Sequence, residues 1–135
     1  MREILFRGKT DKGEWVQGAY YHQAEFYGEQ CSFHYIIESC DELEDNMMWA
    51  LRVIPETIGQ YTGLTDKNGK KIFEGDIVIF GFSACVVKYD FANGRYMFYD
   101  RGIYLKNGFN VDTMKTKEVV GNITDNPELL KGGAE

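Results

Sequence analysis

The sequence predicts an all-β protein, built mainly of antiparallel hairpins, with a small SH3-like barrel in its C-terminal half and a short helical turn near its C-terminal end. Three observations carry that expectation. Runs of β-branched and aromatic residues recur as far as about residue 124, glycine-bearing turns bound them, and helical periodicity is nearly absent. Composition agrees, since 44% of the 135 residues are hydrophobic and 15% aromatic, with 15 glycines against 2 prolines, which suits a folded chain and not a disordered one. A chain this long can bury a core without a disulfide or a structural metal, as one domain or two small intimate halves. The halves fall at 1–60, a hairpin region, and 61–130, the barrel-like region, with 131–135 as a frayed tail.

Taken in order, Ile4 and Phe6, then Trp15, Val16, Ala19, Tyr20 and Tyr21, flank Gly8-Lys9-Thr10-Asp11-Lys12-Gly13. That arrangement predicts an antiparallel hairpin turning near Asp11-Lys12-Gly13. Phe33 to Ile37 and Trp49 to Ile54 read as two more strands, separated by an acidic loop from Glu38 to Asp45. That loop lacks the alternating oxygen ligands and central glycine of a helix-loop-helix calcium site. From Gly63 to Gly69 the chain echoes the first turn, and Asn68-Gly69 predicts a primed turn with positive φ at both positions. Gly75 permits a sharp entry into a buried strand over Ile77 to Phe80, where Asp76 is placed to bond nearby backbone amides. Ala84 to Tyr89, Arg95 to Tyr99 and Glu118 to Ile123 supply further strands, close enough in sequence to suggest the curled barrel. Thr124-Asp125-Asn126-Pro127 puts a capping side chain before a proline at a first helical position, so one or two helical turns follow.

Three stretches together resemble the YopX family of phage and prophage proteins. They are Arg2 to Lys9 with Glu14-Trp15-Val16-Gln17-Gly18, then Ile58 to Val78, and finally Val120 to Leu130. The resemblance implies a β-rich fold, a source in a bacteriophage or prophage, and self-association. It brings no catalytic residues. Folding alone accounts for most of the shared pattern, because Gly8, Gly63, Gly69 and Gly75 read as backbone devices and Trp15, Tyr61, Ile72, Phe73 and Ile77 as core or sheet-face residues.

His22, Cys31, His34 and Cys40 are the candidate zinc ligands by residue type, but the two types alternate, whereas structural sites favour paired Cys and paired His knuckles. No metal and no cofactor is expected. Cys85 sits in the apolar run Ala84-Cys85-Val86-Val87 and reads as a small buried hydrophobe. Three cysteines in a reducing compartment predict free thiols. The longest apolar stretches fall far short of the roughly 20 residues that span a bilayer, and Met1-Arg2-Glu3 opens no signal peptide, so a cytoplasmic protein without a membrane partner is expected.

A formal charge of −6 repels polyphosphate unless the cations are segregated. The residues that would form such a segregated surface are Tyr61, Lys67, Lys70, Lys71, Lys88, Tyr89, Arg95, Tyr96 and Tyr99. Nine tyrosines and nine phenylalanines are more than a core of this size hides, and aromatics concentrate at protein interfaces. The sequence therefore points to a non-enzymatic, self-associating protein that binds a phage or host protein. A nucleic-acid-binding accessory role is the alternative.

Overall fold

A computed structural model of the chain describes residues 2–39, 48–105 and 109–130. The chain divides into two compact units, Met1–Gln60 and Tyr61–Glu135. Among the described residues, eleven antiparallel strands account for nearly all of the regular structure.

The first unit contains β1 (Phe6–Lys9), β2 (Trp15–Phe26), β3 (Glu29–Ser39), β4 (Met48–Arg52) and the start of β5 (Ile54–Thr65), in the hydrogen-bonded order β4-β3-β2-β1-β5. Its core is small: Val16, Ile36 and Val53, with Phe6, Tyr20, Leu51 and Ile58 packed against them. The strand expected from Trp49 to Ile54 is broken at Val53. That residue turns into the core and gives its N–H to the His34 carbonyl at 2.9 Å, so Ile54 opens a new strand opposite Lys9. The strand expected at Phe33–Ile37 is part of the much longer β3. Of the acidic loop, Glu38 and Ser39 belong to β3, and 40–47 lie outside the described residues.

The β1–β2 turn has the predicted position: Gly13 N–H donates to the Thr10 carbonyl at 3.0 Å, and Thr10 N–H to the Glu14 carbonyl at 2.9 Å. Its echo repeats this geometry, with Gly69 N–H on the Asp66 carbonyl at 3.0 Å and Asp66 N–H on the Lys70 carbonyl at 2.9 Å. The expected primed turn is corrected here. Asn68 does not take positive φ, and only Gly69 does, at 78°, which makes this a type I turn closed by a left-handed glycine. Gly63 lies outside that turn, within β5 where the register with its partner strand shifts.

β5 crosses the division, pairing with β1 as far as Gln60 and from Tyr61 with β6 (Lys71–Phe73). The second unit continues through β7 (Asp76–Phe80), β8 (Ser83–Asp90), β9 (Arg95–Asp100), β10 (Ile103–Leu105), a one-turn helix α1 (Val111–Met114) and β11 (Val119–Asn122). Five of these strands form an antiparallel sheet in the order β10-β9-β8-β7-β11. Alternation places Ile72, Val78, Cys85, Val87, Phe98, Met114 and Val119 in one apolar cluster. Cys85 is fully buried, and burial first, with the Asp100 charge second, pushes its thiol up from the ordinary value. Asp76 accepts the Phe73 N–H at 2.8 Å, which holds the turn that feeds β7.

Helix α1 was not expected: Asn110 caps it by accepting the Thr113 N–H at 2.9 Å, and Met114 is its fully buried anchor. The expected C-terminal helical turn is a 3-10 turn over Pro127–Leu130. Thr124 and Asp125 do not cap it; both give their N–H groups to the Asn122 side chain. Among the described residues no helix is long and apolar enough to cross a membrane.

Candidate binding surfaces

Pairing with β1 uses only Trp15 to Gly18 of β2, and pairing with β4 uses only Tyr35 to Ser39 of β3. Apart from the His34 carbonyl, which takes the Val53 N–H, the backbone of residues 22–34 pairs only within itself among the described residues, as a two-stranded arm turning at Tyr27-Gly28. Tyr27 has φ 50° and Gly28 φ 80°, the double left-handed conformation of a primed turn. For a residue with a side chain, that conformation costs about 1–2 kcal/mol. Tyr27 is nonetheless 91% exposed, and its ring meets Phe26, itself half-exposed, at a centroid distance of 4.4 Å.

One face of the arm base carries His22, Ser32 and His34, beside Tyr20. The Tyr20 hydroxyl and His34 Nδ1 share a hydrogen bond of 2.6 Å, and Ser32 Oγ lies 3.3 Å from His34 Nε2 and 3.1 Å from His22 Nε2. The two imidazoles stack with centroids 4.4 Å apart and planes 5° apart. Cys31 lies where the β2–β3 register shifts, and its thiol donates to the Gln23 carbonyl at 3.5 Å. Cys40 lies outside the described residues. Of the zinc candidates, His22 and His34 are thus brought together, but as parallel stacked rings; a metal lies in the plane of each imidazole it ligates, and parallel planes do not meet. Among the described residues no group of three His, Cys, Asp or Glu is placed to hold a metal.

Ser32 and Tyr20 are site residues that sequence reasoning missed. Serine at a hydrogen-bonded histidine whose other nitrogen meets a hydroxyl has the connectivity of a proton relay. The cluster lies on an open ribbon, however, with His22 and Ser32 exposed. The signal was available as parity, since 22, 32 and 34 share one face once 22 is opposed to 34.

Charge is divided unevenly between the two units. Residues 1–60 carry 5 basic and 11 acidic side chains while 61–135 carry 10 of each, so the whole formal charge of −6 belongs to the first unit. No Lys or Arg occurs between Lys12 and Arg52. The arm is flanked at its tip by exposed Glu25 and Glu29.

In the second unit the β8–β9 ladder separates the expected basic and aromatic set. Lys88, Arg95 and Tyr99 lie on one face, with Lys88 Nζ 4.0 Å from the centre of the Tyr99 ring. Tyr89 and Tyr96 lie on the other, 5.1 Å apart, beside Phe91 and Phe109. Lys71 Nζ is 5.8 Å from the Tyr61 ring, and Lys67 Nζ is 3.6 Å from Glu118 Oε2. Lys70 stands in the Asp66 turn, where its charge helps to hold the Asp66 carboxyl down. The predicted set is therefore divided among the two faces of the β8–β9 ladder, the β5–β6 pair and the turn that joins it.

The Lys88 face floors a groove. Ala84, Val86, Tyr99, Ile123 and Leu130 line a cavity of about 340 Å³ with Lys88, Asp100 and Arg101. A second cavity of about 190 Å³ shares Ala84, Asp100, Arg101 and Leu130 with it and adds the fully exposed Phe82. Arg101 has φ 45° in a second primed turn, and its Nε is 3.2 Å from Asp100 Oδ1.

The family model described as YopX protein matches residues 5–131. Among solved structures, a crystal structure of protein EF1440 from Enterococcus faecalis is similar, with a TM-score of 0.59 and 22% identity, covering 96% of this chain and 99% of that one. At that identity the likeness is one of fold. No curated protein matches the chain.

Proposed function

The chain belongs to the YopX family, and on that premise we propose that it is a non-enzymatic accessory protein of a phage or prophage, working in the bacterial cytoplasm by self-association and protein binding. The observation that carries this reading is the β2–β3 arm. A two-stranded ribbon is marginal in water without a third strand or a packed face, and beyond its base, where Val53 bonds the His34 carbonyl and Arg52 lies over the Phe33 ring, the arm has no third strand among the described residues. At its tip Phe26 and Tyr27 are exposed, and the turn holds Tyr27 in a backbone conformation that glycine or asparagine would adopt more readily. Folding does not reward that tyrosine, whereas an interface would. Nucleic acid is the less supported partner, because the arm is acidic and the aromatic pair Tyr89 and Tyr96 lies on the face opposite Lys88 and Arg95.

Light scattering at micromolar concentration tests the reading. The wild-type chain is expected to exceed monomer mass. Phe26→Ser combined with Tyr27→Gly is expected to give a monomer whose melting temperature is unchanged or higher, since glycine removes the left-handed cost. A wild-type chain that stays monomeric, or a tip variant that associates as well as wild type, contradicts it.

A further inference from the structure

We propose that the acidic aromatic tip of one copy docks into the groove on the second unit of another copy. The inference rests on the self-association reading above and names the seat of that contact. The two surfaces complement each other in chemistry. The tip presents Phe26 and Tyr27 between Glu25 and Glu29, with no cation nearby in sequence. The groove presents an apolar floor of Ala84, Val86 and Ile123 with the exposed cations Lys88 and Arg101 beside it, and one less exposed acid, Asp100, bonded to Arg101. Its volume of about 340 Å³ falls at the small end of pockets that hold a ligand or an anchoring side chain.

Charge argues against the obvious alternative, a symmetric tip-to-tip contact. Such an interface would face Glu25 and Glu29 of one copy with the same acids of the other, and like charges so juxtaposed are unfavourable. In the groove those acids meet Lys88 and the outer nitrogens of Arg101, whose Nε is already held by Asp100. Both surfaces also hold a non-glycine residue at positive φ, Tyr27 in one and Arg101 in the other, and these are the only two such residues among those described. Backbone strain of this kind persists at functional sites because something other than the local fold selects the residue. A tip-to-groove contact is head-to-tail, so it closes into a ring or grows as a filament according to the rotation it imposes.

Head-to-tail contacts have a signature that symmetric ones lack. A tip variant, Phe26→Ser with Tyr27→Gly, keeps an intact groove. A groove variant, Lys88→Glu with Arg101→Asn, keeps an intact tip, and asparagine accepts the left-handed φ at 101. Each is expected to be monomeric alone, its association weakened at least about tenfold. Mixed in equal amounts, the two are expected to form a heterodimer and nothing larger, because one intact tip meets one intact groove. Adding Glu25→Lys and Glu29→Lys to an otherwise wild-type tip is expected to weaken binding to the wild-type groove and to improve binding to the groove variant. If the wild-type chain associates but the groove variant alone associates equally well, or the mixture stays monomeric, the groove is not the seat and the self-association reading stands without it. If the wild-type chain is monomeric, both fail.

Discussion

Asp66→Ala is expected to lower the stability of the second unit by about 3–5 kcal/mol in urea unfolding, among the largest effects available in this chain. Asp66 is buried and its carboxylate takes three backbone donors. Oδ1 accepts from Asn68 at 2.9 Å and Lys70 at 3.0 Å, and Oδ2 accepts from Val119 at 3.0 Å, 53 positions away. One side chain thus closes a turn and ties that turn to β11. Alanine would strand the buried Val119 N–H as well as open the turn. Burial pushes this carboxyl up, but the three N–H donors and the Lys70 charge outweigh it and hold it below its ordinary value of 3.8. A carboxyl whose folded value is depressed contributes stability that is complete above its unfolded value and is lost as pH falls through the folded one. Wild-type stability is therefore expected to decline as pH drops below the ordinary aspartate range, and Asp66→Asn is expected to flatten that part of the decline.

Gly18→Ala is expected to destabilise the first unit by about 3 kcal/mol or more, through overpacking against backbone that has no rotamer to yield. Gly18 stands opposite Phe6 where β2 passes from pairing with β1 to pairing with β3. A Cβ there would overlap the carbonyl oxygen of Ile37, lie 2.8 Å from its carbonyl carbon and reach within 3.3 Å of Ile36 Cγ2. Ile36 is fully buried in the small core, so a displaced β3 disturbs the packing of Val16 and Val53. Circular dichroism and urea unfolding are expected to show the loss together with weaker protection of β2–β3 amides. By contrast a change at the arm tip, remote from Ile36, leaves this core intact.

The parts of the fold that were legible in sequence are those in which one short segment contains both partners of the interaction. The Thr10–Glu14 and Asp66–Lys70 turns and the Asp76 bond to Phe73 all close within a few residues, so residue type and spacing reveal them. Ladder partners of distant strands left no such mark. Nothing near Gly18 signals that Ile37 approaches it, and nothing near Asp66 signals Val119. The Tyr27-Gly28 turn was missed because tyrosine is a strand former and a poor turn residue, so β2 and β3 read as unrelated segments. That omission hid the rest of the site: without the hairpin, His22 is not opposed to His34, and Ser32 has no role. The aromatic excess was visible from composition, but its division between an acidic arm and a neutral unit needed the boundary at Gln60. The basic set looked like one surface in sequence because strand alternation had not been applied across two paired strands.

The account rests on the arm being an interface, and amide hydrogen exchange of the wild-type chain as a function of its concentration tests that most directly. At high dilution the amides of residues 22–34 are expected to exchange fast, as those of an unsupported ribbon do. As concentration rises through the association range, protection is expected to appear at Glu25 to Glu29 and around Lys88 and Arg101 together, while the Ile72, Val78 and Phe98 core remains unchanged. Exchange in the arm that is slow at every concentration, or protection that grows elsewhere while the arm stays open, would contradict it.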